Sequence, residues 1–503
     1  DNNGNTAVGN DVTIRLPEGA YLDGDGNNDV STDIGSAATQ ALVAGQASQD
    51  LGLIRVKDVS GGNSPMSQRT IFTMPDGVTI NESATDVLVT TTSGDLSVTG
   101  TQIVDENTLR IEHSGSSENG QTLRVSGVVV DVANDIDAGV NGVTSDINVD
   151  YATGGIDSAL LTNYKPSVSL GGTVNVGAGA SGGQVTSAVT VATASSSNGD
   201  LSGMIANQTD IVIYANQSNG ITWDTSVDSS SLSYSGATGN VNTTATSITS
   251  SQITIPVTSD FAEGDSLTID ANSISVNAST SATDSLLNAD TTPVSSTGTV
   301  AAERTSTGNN FNIQKPQADY DGSGDTLAVG EEGTSVSTLT VTSTTAGDLT
   351  TGNDVTGDTG TLTITTNRSD VTFDKSMDVT TIADNGSSTN FQVNSGSVEI
   401  TDDTLTAPIE LTADADGTGT VVLNGINLNV SEAAPEDGQV NFNVSTTPSS
   451  GKTIPLVATN GGGQGNDPAP ATLDKPDLQE ASGSLGVGQV KQDFSSTELK
   501  EIG

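Results

Sequence analysis

The stretch QTLRVSGVVVDV, Gln121–Val132, is two short alternating runs around a tight polar turn at Ser126-Gly127. Period two places its Leu and Val side chains on one face of a pleated strand. The same layout recurs in DSLTIDANSISV, Asp265–Val276, and in GTVVLNGINLNV, Gly419–Val430. Upstream of each lies a second shared signature: TIFTMPDGVTIN (Thr70–Asn81), DIVIYANQSNGITWD (Asp210–Asp224) and TLTITTNRSDVTFD (Thr361–Asp374). Each is an alternating strand, a turn, then apolar-Thr-apolar-Asn/Asp. Two further marks share this register. A Lys-Pro pair stands at Lys165-Pro166, Lys315-Pro316 and Lys475-Pro476, and each is followed by a small apolar-x-Val-Gly segment ending at Gly177, Gly330 and Gly488. A fourth copy of the last mark, TAVG ending at Gly9, opens the chain.

Self-similarity at a fixed spacing is the signature of repeated structural units. The marks divide the chain into repeats 1–166, 167–316 and 317–476 and a tail, 477–503, read as a partial fourth repeat or an inter-subunit strand. Val, Ile and Thr dominate the alternating runs, and Gly, Asn, Asp and Ser clusters interrupt them every 8 to 12 residues or so, as in a β-sandwich. The expected fold is all-β, a tandem array of three β-sandwich domains with a C-terminal extension strand. Units of roughly 150 residues can bury a sizeable core. With aromatic residues at 3% that core is aliphatic, and Trp223, Phe373 and Ile80 are read as one equivalent core position in the three repeats. Short helices are expected at 36–44, 157–161 and 497–502. The tail restarts the repeat with SLGVG at 484–488 and is expected to hold no further strand. Such a lone strand needs a partner, because an unpaired edge is costly or sticky. The candidates are a sheet of the next subunit, the rest of a fourth domain, or a cap on its own chain.

Sixty-two acidic residues face 15 basic ones, a formal net charge of −47. That balance repels phosphate backbones and argues against nucleic acid and anionic lipid as partners. No apolar run approaches the roughly 18 residues of a transmembrane segment. The start, DNNGNTAVGN, has neither the basic nor the apolar part of a signal peptide and reads as a processed N-terminus. There is no cysteine and one histidine, His113, which excludes Cys nucleophiles and Cys–His metal sites. His113 is read as an exposed strand end. No nucleophile–base constellation can be assembled, so no catalytic or cofactor-binding residue is assigned and the chain is read as non-enzymatic.

The acidic excess points to cations. Asp23, Asp25, Asn27 and Asp29, and likewise Asp319, Asp321, Ser323 and Asp325, place oxygen-bearing side chains at every second residue of a Gly-containing loop. Asp414 and Asp416 form a shorter version. Calcium takes six to eight oxygens in flexible geometry and suits such a loop. Looser groups are Asp131, Asp135 and Asp137, and Asp260, Glu263 and Asp265. The first positions resemble the calcium loops of EF-hand and dockerin-like proteins, but the bidentate Glu is missing: Ile34 and Gly330 stand in its place. The other reading is a solvated turn, since Asp-Gly is a common turn dipeptide.

In composition and repeat layout the whole chain resembles surface-layer and surface-filament proteins of bacteria and archaea built from tandem immunoglobulin-like domains. The resemblance implies immunoglobulin-like sandwiches, an extracellular or cell-surface location after secretion, calcium-dependent order, and self-assembly of copies into a homopolymeric layer or filament. The second reading is a multidomain adhesin stalk or a calcium-dependent carbohydrate-binding module, with contact to a cell wall or glycan.

Overall fold

The computed structural model describes residues 30–34, 39–58, 66–92, 94–118, 120–151, 154–179, 184–185, 188–197, 199–215, 220–270, 273–276, 282–296, 298–304, 310–321, 325–344, 348–350, 356–377, 390–412, 419–435, 439–448, 453–458, 471–474, 477–479 and 498–500. Among the described residues the chain is a tandem array of three β-sandwiches. Among the described residues helical structure is limited to three-residue 3-10 turns such as Ser229–Ser231 and Ser395–Ser397. Among the described residues every sheet draws its strands from within 30–164, 167–314, 317–474 or the tail, and no ladder joins two of these ranges.

The three sets of strands repeat one wiring. An opening strand pairs antiparallel with a second strand: Val30–Ile34 with Ile54–Asp58, Ser167–Leu170 with Val189–Ala192, and Gln317–Asp321 with Thr338–Ser343. The chain then changes sheets. A crossover strand runs parallel to the closing strand of its unit: Gln40–Val43 beside Gly154–Tyr164, Val174–Gly177 beside Asn310–Gln314, and Asp325–Ala328 beside Ala471–Asp474. A three-stranded strip completes each unit, with Val129–Val132, Ser273–Val276 and Asn427–Val430 as its central strands.

Alternation builds the cores. In Thr359–Thr366 the residues Gly360, Leu362 and Ile364 are buried while Thr361, Thr363 and Thr365 face outward, and Thr404–Leu411 repeats the pattern beside it. Trp223, Phe373 and Ile80 each end a three-residue strand of the strip and are buried at 2%, 0% and 4% exposure. Trp223 Nε1 donates to the Ile213 carbonyl at 3.2 Å. In the third unit Phe373 stacks on Phe442 and Tyr320 meets Phe442 edge-on, with centroids 6.1 and 6.3 Å apart.

Several expectations are corrected. Residues 40–43 and 154–164 are strands, which removes the first two expected helices. Ala41, Leu42, Val43 and Ala44 are all buried, so the run lacks the alternation that marks a strand with one wet face. The third expected helix and the strandless tail give way to a strand, Glu498–Lys500, paired antiparallel with Asp477–Gln479 as opening and second strands are in each unit. His113 lies within Thr108–Ser116 and is 4% exposed, so it is a core residue. The two runs of Gln121–Val132 are no hairpin: Thr122–Ser126 and Val129–Val132 belong to different sheets, and Gly127, with φ +75°, turns the chain between them. TAVG at 6–9 and SLGVG at 484–488 lie outside the described residues.

Candidate functional site at the joints between units

The two junction marks meet in space. Beyond the crossover strand, the Ala44, Ala178 and Val329 N–H groups donate to the carbonyls of Tyr164, Gln314 and Asp474, at 2.9, 2.8 and 2.9 Å. Each acceptor directly precedes a Lys-Pro pair. The next residue is a glycine with positive φ: Gly45 at +73°, Gly179 at +78° and Gly330 at +87°. That left-handed backbone favours glycine. The equivalent glycines are therefore 45, 179 and 330. The Val-Gly mark slips by two residues in the second unit, where Gly177 is still in the strand, and Gly9 is not the equivalent position of the first.

Glycine also makes room here. A β-carbon on Gly45 would lie 2.4 Å from Cγ2 of Val300, and one on Gly179 would lie 2.8 Å from Cδ1 and Cγ1 of Ile454. Val300 belongs to the second unit yet is buried at 1% in the core of the first, and Ile454 belongs to the third yet is buried at 0% in the core of the second. Both come from one loop, which starts at Thr-Thr-Pro (291–293 and 446–448) and reaches its aliphatic residue seven and six positions after the proline. Period two then returns the chain to its own unit. Ala302 and Leu456 pack on their own cores, and their N–H groups donate to Ala289 and Val444 carbonyls at 2.7 and 2.9 Å. Next, Glu303–Arg304 and Val457–Ala458 pair parallel with their own opening strands. Fully burying a Val or Ile side chain stabilises by about 1.5–3 kcal/mol. At the first joint the exchange is mutual: Ala41, Val43 and Tyr164 pack with the core of the second unit.

The first unit lacks this loop. Its corresponding strands, Val143–Tyr151 and Gly154–Tyr164, pair with Tyr151 opposite Gly154. The loops were missed in the sequence, although the duplicated Thr-Thr-Pro was a signal available there.

Among the described residues, Asp319, Asp321 and Asp325 do not lie in one loop. Asp319 and Asp321 lie in the opening strand of the third unit, with Asp319 opposite Thr340, while Asp325 begins the crossover strand in another sheet. Only residues 322–324 remain between the strands, so the spacing read as one Asp319–Asp325 loop spans two elements. Asp325 Oδ2 accepts from Tyr320 Oη at 2.6 Å and from Ser337 N and Oγ at 2.8 Å each. Burial alone would raise its pKa, but the Tyr320 and Ser337 hydrogen bonds hold the carboxyl below its ordinary value. Burial, then Asp325, pushes the Tyr320 phenol up. Asp23, Asp25, Asn27, Asp29, Ser323, Asp414 and Asp416, and the side chain of Asp321, lie outside the described residues. The looser acids tie turns: Asp131 Oδ1 accepts from Ser48 N and Asn81 Nδ2, Asp260 Oδ1 from Asn207 N, and Asp265 Oδ2 from Ala262 N. Among the described residues no three His, Cys, Asp or Glu side chains gather to hold a metal ion.

No protein-family model matches the chain, and no curated protein does. Similar solved structures include the N-terminal domain of the Streptococcus gordonii adhesin Sgo0707, at 9% identity over 87% of this chain and 89% of that one, with a TM-score of 0.26. Another is BcpA, the major pilin subunit of Bacillus cereus, at 8% identity over 84% and 92%, with a TM-score of 0.23. The C-terminal fragment of the major pilin GBS80 of Streptococcus agalactiae is 9% identical over 54% and 90%, with a TM-score of 0.20. With TM-scores below 0.5 these likenesses carry no functional argument.

Proposed function

We propose that the chain is a non-enzymatic structural subunit that self-assembles into an extracellular surface layer or filament. The observation that carries this reading is the repeated joint, in which Val300 and Ile454 cross from their own units into the core of the preceding one. Interlocking of that kind suits a load-bearing series of domains. Repeated subunits polymerise when a heterologous contact does not close on itself. Calcium stabilisation remains part of the proposal at Asp23, Asp25, Asn27 and Asp29 and at Asp414 and Asp416. Asp319 and Asp325 support it less, since Asp325 is already occupied within its own unit.

One observation favours the adhesin-stalk reading. The first unit differs from the others: it carries a long hairpin, Ser97–Asp105 with Thr108–Ser116, where the second has only Ser247–Ile248 beside Gln252–Pro256. It also exposes Leu88 and Val104, at 63% and 46%. Electron microscopy of the purified protein, with and without calcium, tests the two readings. Ordered sheets or fibres are the result expected of a layer or filament subunit, and dispersed particles under both conditions would favour the stalk.

A further inference from the structure

Among the described residues the joint has three sockets and two occupants. The first socket, at Ala44 and Gly45, is filled by Val300, and the second, at Ala178 and Gly179, by Ile454; all four socket residues are buried. The third has the same backbone: Val329 donates to Asp474, Gly330 has φ +87°, and Val430 N–H donates to the carbonyl of Glu331 as Val132 N–H does to that of Gln46. Here, however, Val329 is only half-buried and Gly330 is exposed. Among the described residues a β-carbon on Gly330 would meet only Glu432, at 3.3 Å or more, where Gly45 and Gly179 meet an aliphatic side chain of the next unit. Glu432 stands two residues after Val430, as Asn134 stands two after Val132, and each flanks its glycine.

We infer that the surface around Val329, Gly330 and Glu432 is a docking site for a further β-sandwich of this same design, which would enter through a loop bearing Thr-Thr-Pro and, six or seven residues on, a β-branched aliphatic side chain. The two filled joints identify the occupant, because they show what the same backbone takes when complete. The loops of this chain are already spent in its own joints, and the first unit has none, so a second copy in its native state does not offer one. The pairing of Asp477–Gln479 with Glu498–Lys500 just past Lys475-Pro476 agrees, since opening and second strands begin each unit. The contact goes beyond the assembly reading, which concerns copies of this chain, and does not rest on it. Its test reads the socket alone, so either can fail without the other.

The probe is a cyclised peptide of sequence TTPSSGKTIPLVA, residues 446–458, labelled and titrated against the full 503-residue chain. The expected result is one saturable site on the wild-type chain, weakened at least about tenfold by Val329→Asp or by aspartate in place of the peptide's isoleucine, as loss of one buried aliphatic contact requires. Glu432→Asn, which restores the residue of the first joint, should tighten binding. The chain carrying Ile454→Asp, with its second socket vacated, should bind two equivalents. No binding to the wild-type chain overturns the inference, whatever the variants do. So does binding that Val329→Asp leaves unchanged, which would place the peptide elsewhere.

Discussion

Replacing Ile454 by alanine should destabilise a unit to which residue 454 does not belong. The side chain is 0% exposed, sits in the core of the second unit, and is supplied by a two-residue strand of the third, Ile454–Pro455. Ile→Ala at a buried site costs about 2–5 kcal/mol. With a urea dependence of about 1–3 kcal/mol/M for a domain of this size, a loss near 3 kcal/mol moves the midpoint down by roughly 1–3 M. The molecule provides its own reporter, because its single tryptophan, Trp223, is buried in the second unit. Its emission should shift to the red when that unit unfolds. A chain of several domains need not unfold in one step, so the quantity to compare is the midpoint of this tryptophan transition. Leu456, two residues on, is the control: it is 2% exposed but packs in the core of the third unit. Leu456→Ala should lower the transition of the third unit and leave the Trp223 midpoint nearly unchanged. An Ile454→Ala chain whose Trp223 midpoint stays put, or a Leu456→Ala chain that moves it equally, would refute the cross-unit packing.

Three other outcomes are expected. Gly179→Ala should cost about 2–4 kcal/mol, from left-handed strain of about 1–2 kcal/mol plus a β-carbon 2.8 Å from Ile454, while Gly330→Ala should cost only the strain; scanning calorimetry reads both, and equal costs would contradict the difference in occupancy. His113 has its pKa lowered by burial, and the orphaned Nδ1 leaves only Nε2 paired, at 3.0 Å from Thr70 Oγ1. The unfolded chain therefore takes up a proton first: the contribution of His113 is fully present above about pH 6.5 and is lost as pH falls towards the folded value. His113→Gln should flatten melting temperature against pH between about 6.5 and 5, and an unchanged slope would assign it to other groups. Calcium added to chelated protein should raise the melting temperature and give a binding isotherm at millimolar concentration or below; absence of both would end the calcium proposal.

Much of the architecture was legible because period two and turn chemistry act locally. The strands around Gln121–Val132 and Thr70–Asn81 and their counterparts, and the shared core position of Ile80, Trp223 and Phe373, follow from side-chain alternation alone. What was not legible depends on partners distant in sequence. Ala41–Ala44 reads as a helix because four consecutive apolar residues carry no period, and their burial comes from two cores, the first unit's around Leu42 and Ala44 and the second unit's around Ala41 and Val43. In Val176-Gly177-Ala178-Gly179 two glycines compete for one role, and only the backbone tells them apart: Gly177 is extended and Gly179 is left-handed. Val300 and Ile454 look like ordinary strand residues, since nothing in an alternating pattern says whose core a side chain enters. The acidic spacing from Asp319 to Asp325 is ambiguous for a different reason. A residue count suited to a loop is equally suited to the end of one strand and the start of the next.

The composition explains why the joints are aliphatic. With 15 basic residues against 62 acidic ones, neighbouring units repel wherever their faces come within a Debye length, about 8 Å at physiological ionic strength. Cations are too few to bridge those faces. The pairs Arg110–Glu112, Arg368–Asp370 and Lys375–Asp402 each lie inside one unit. A contact built from Gly45, Pro293 and Val300, or from Gly179, Pro448 and Ile454, needs no charge at all. Burial of apolar surface is also strengthened by excluded salts such as sulfate, the conditions that weaken ion pairs. Charge can then keep the outer faces of an acidic chain apart while each joint closes on buried aliphatic side chains. Glu432 is the exception that makes the third socket distinct, because a unit docking there must cover a carboxylate where the first joint has the neutral amide of Asn134.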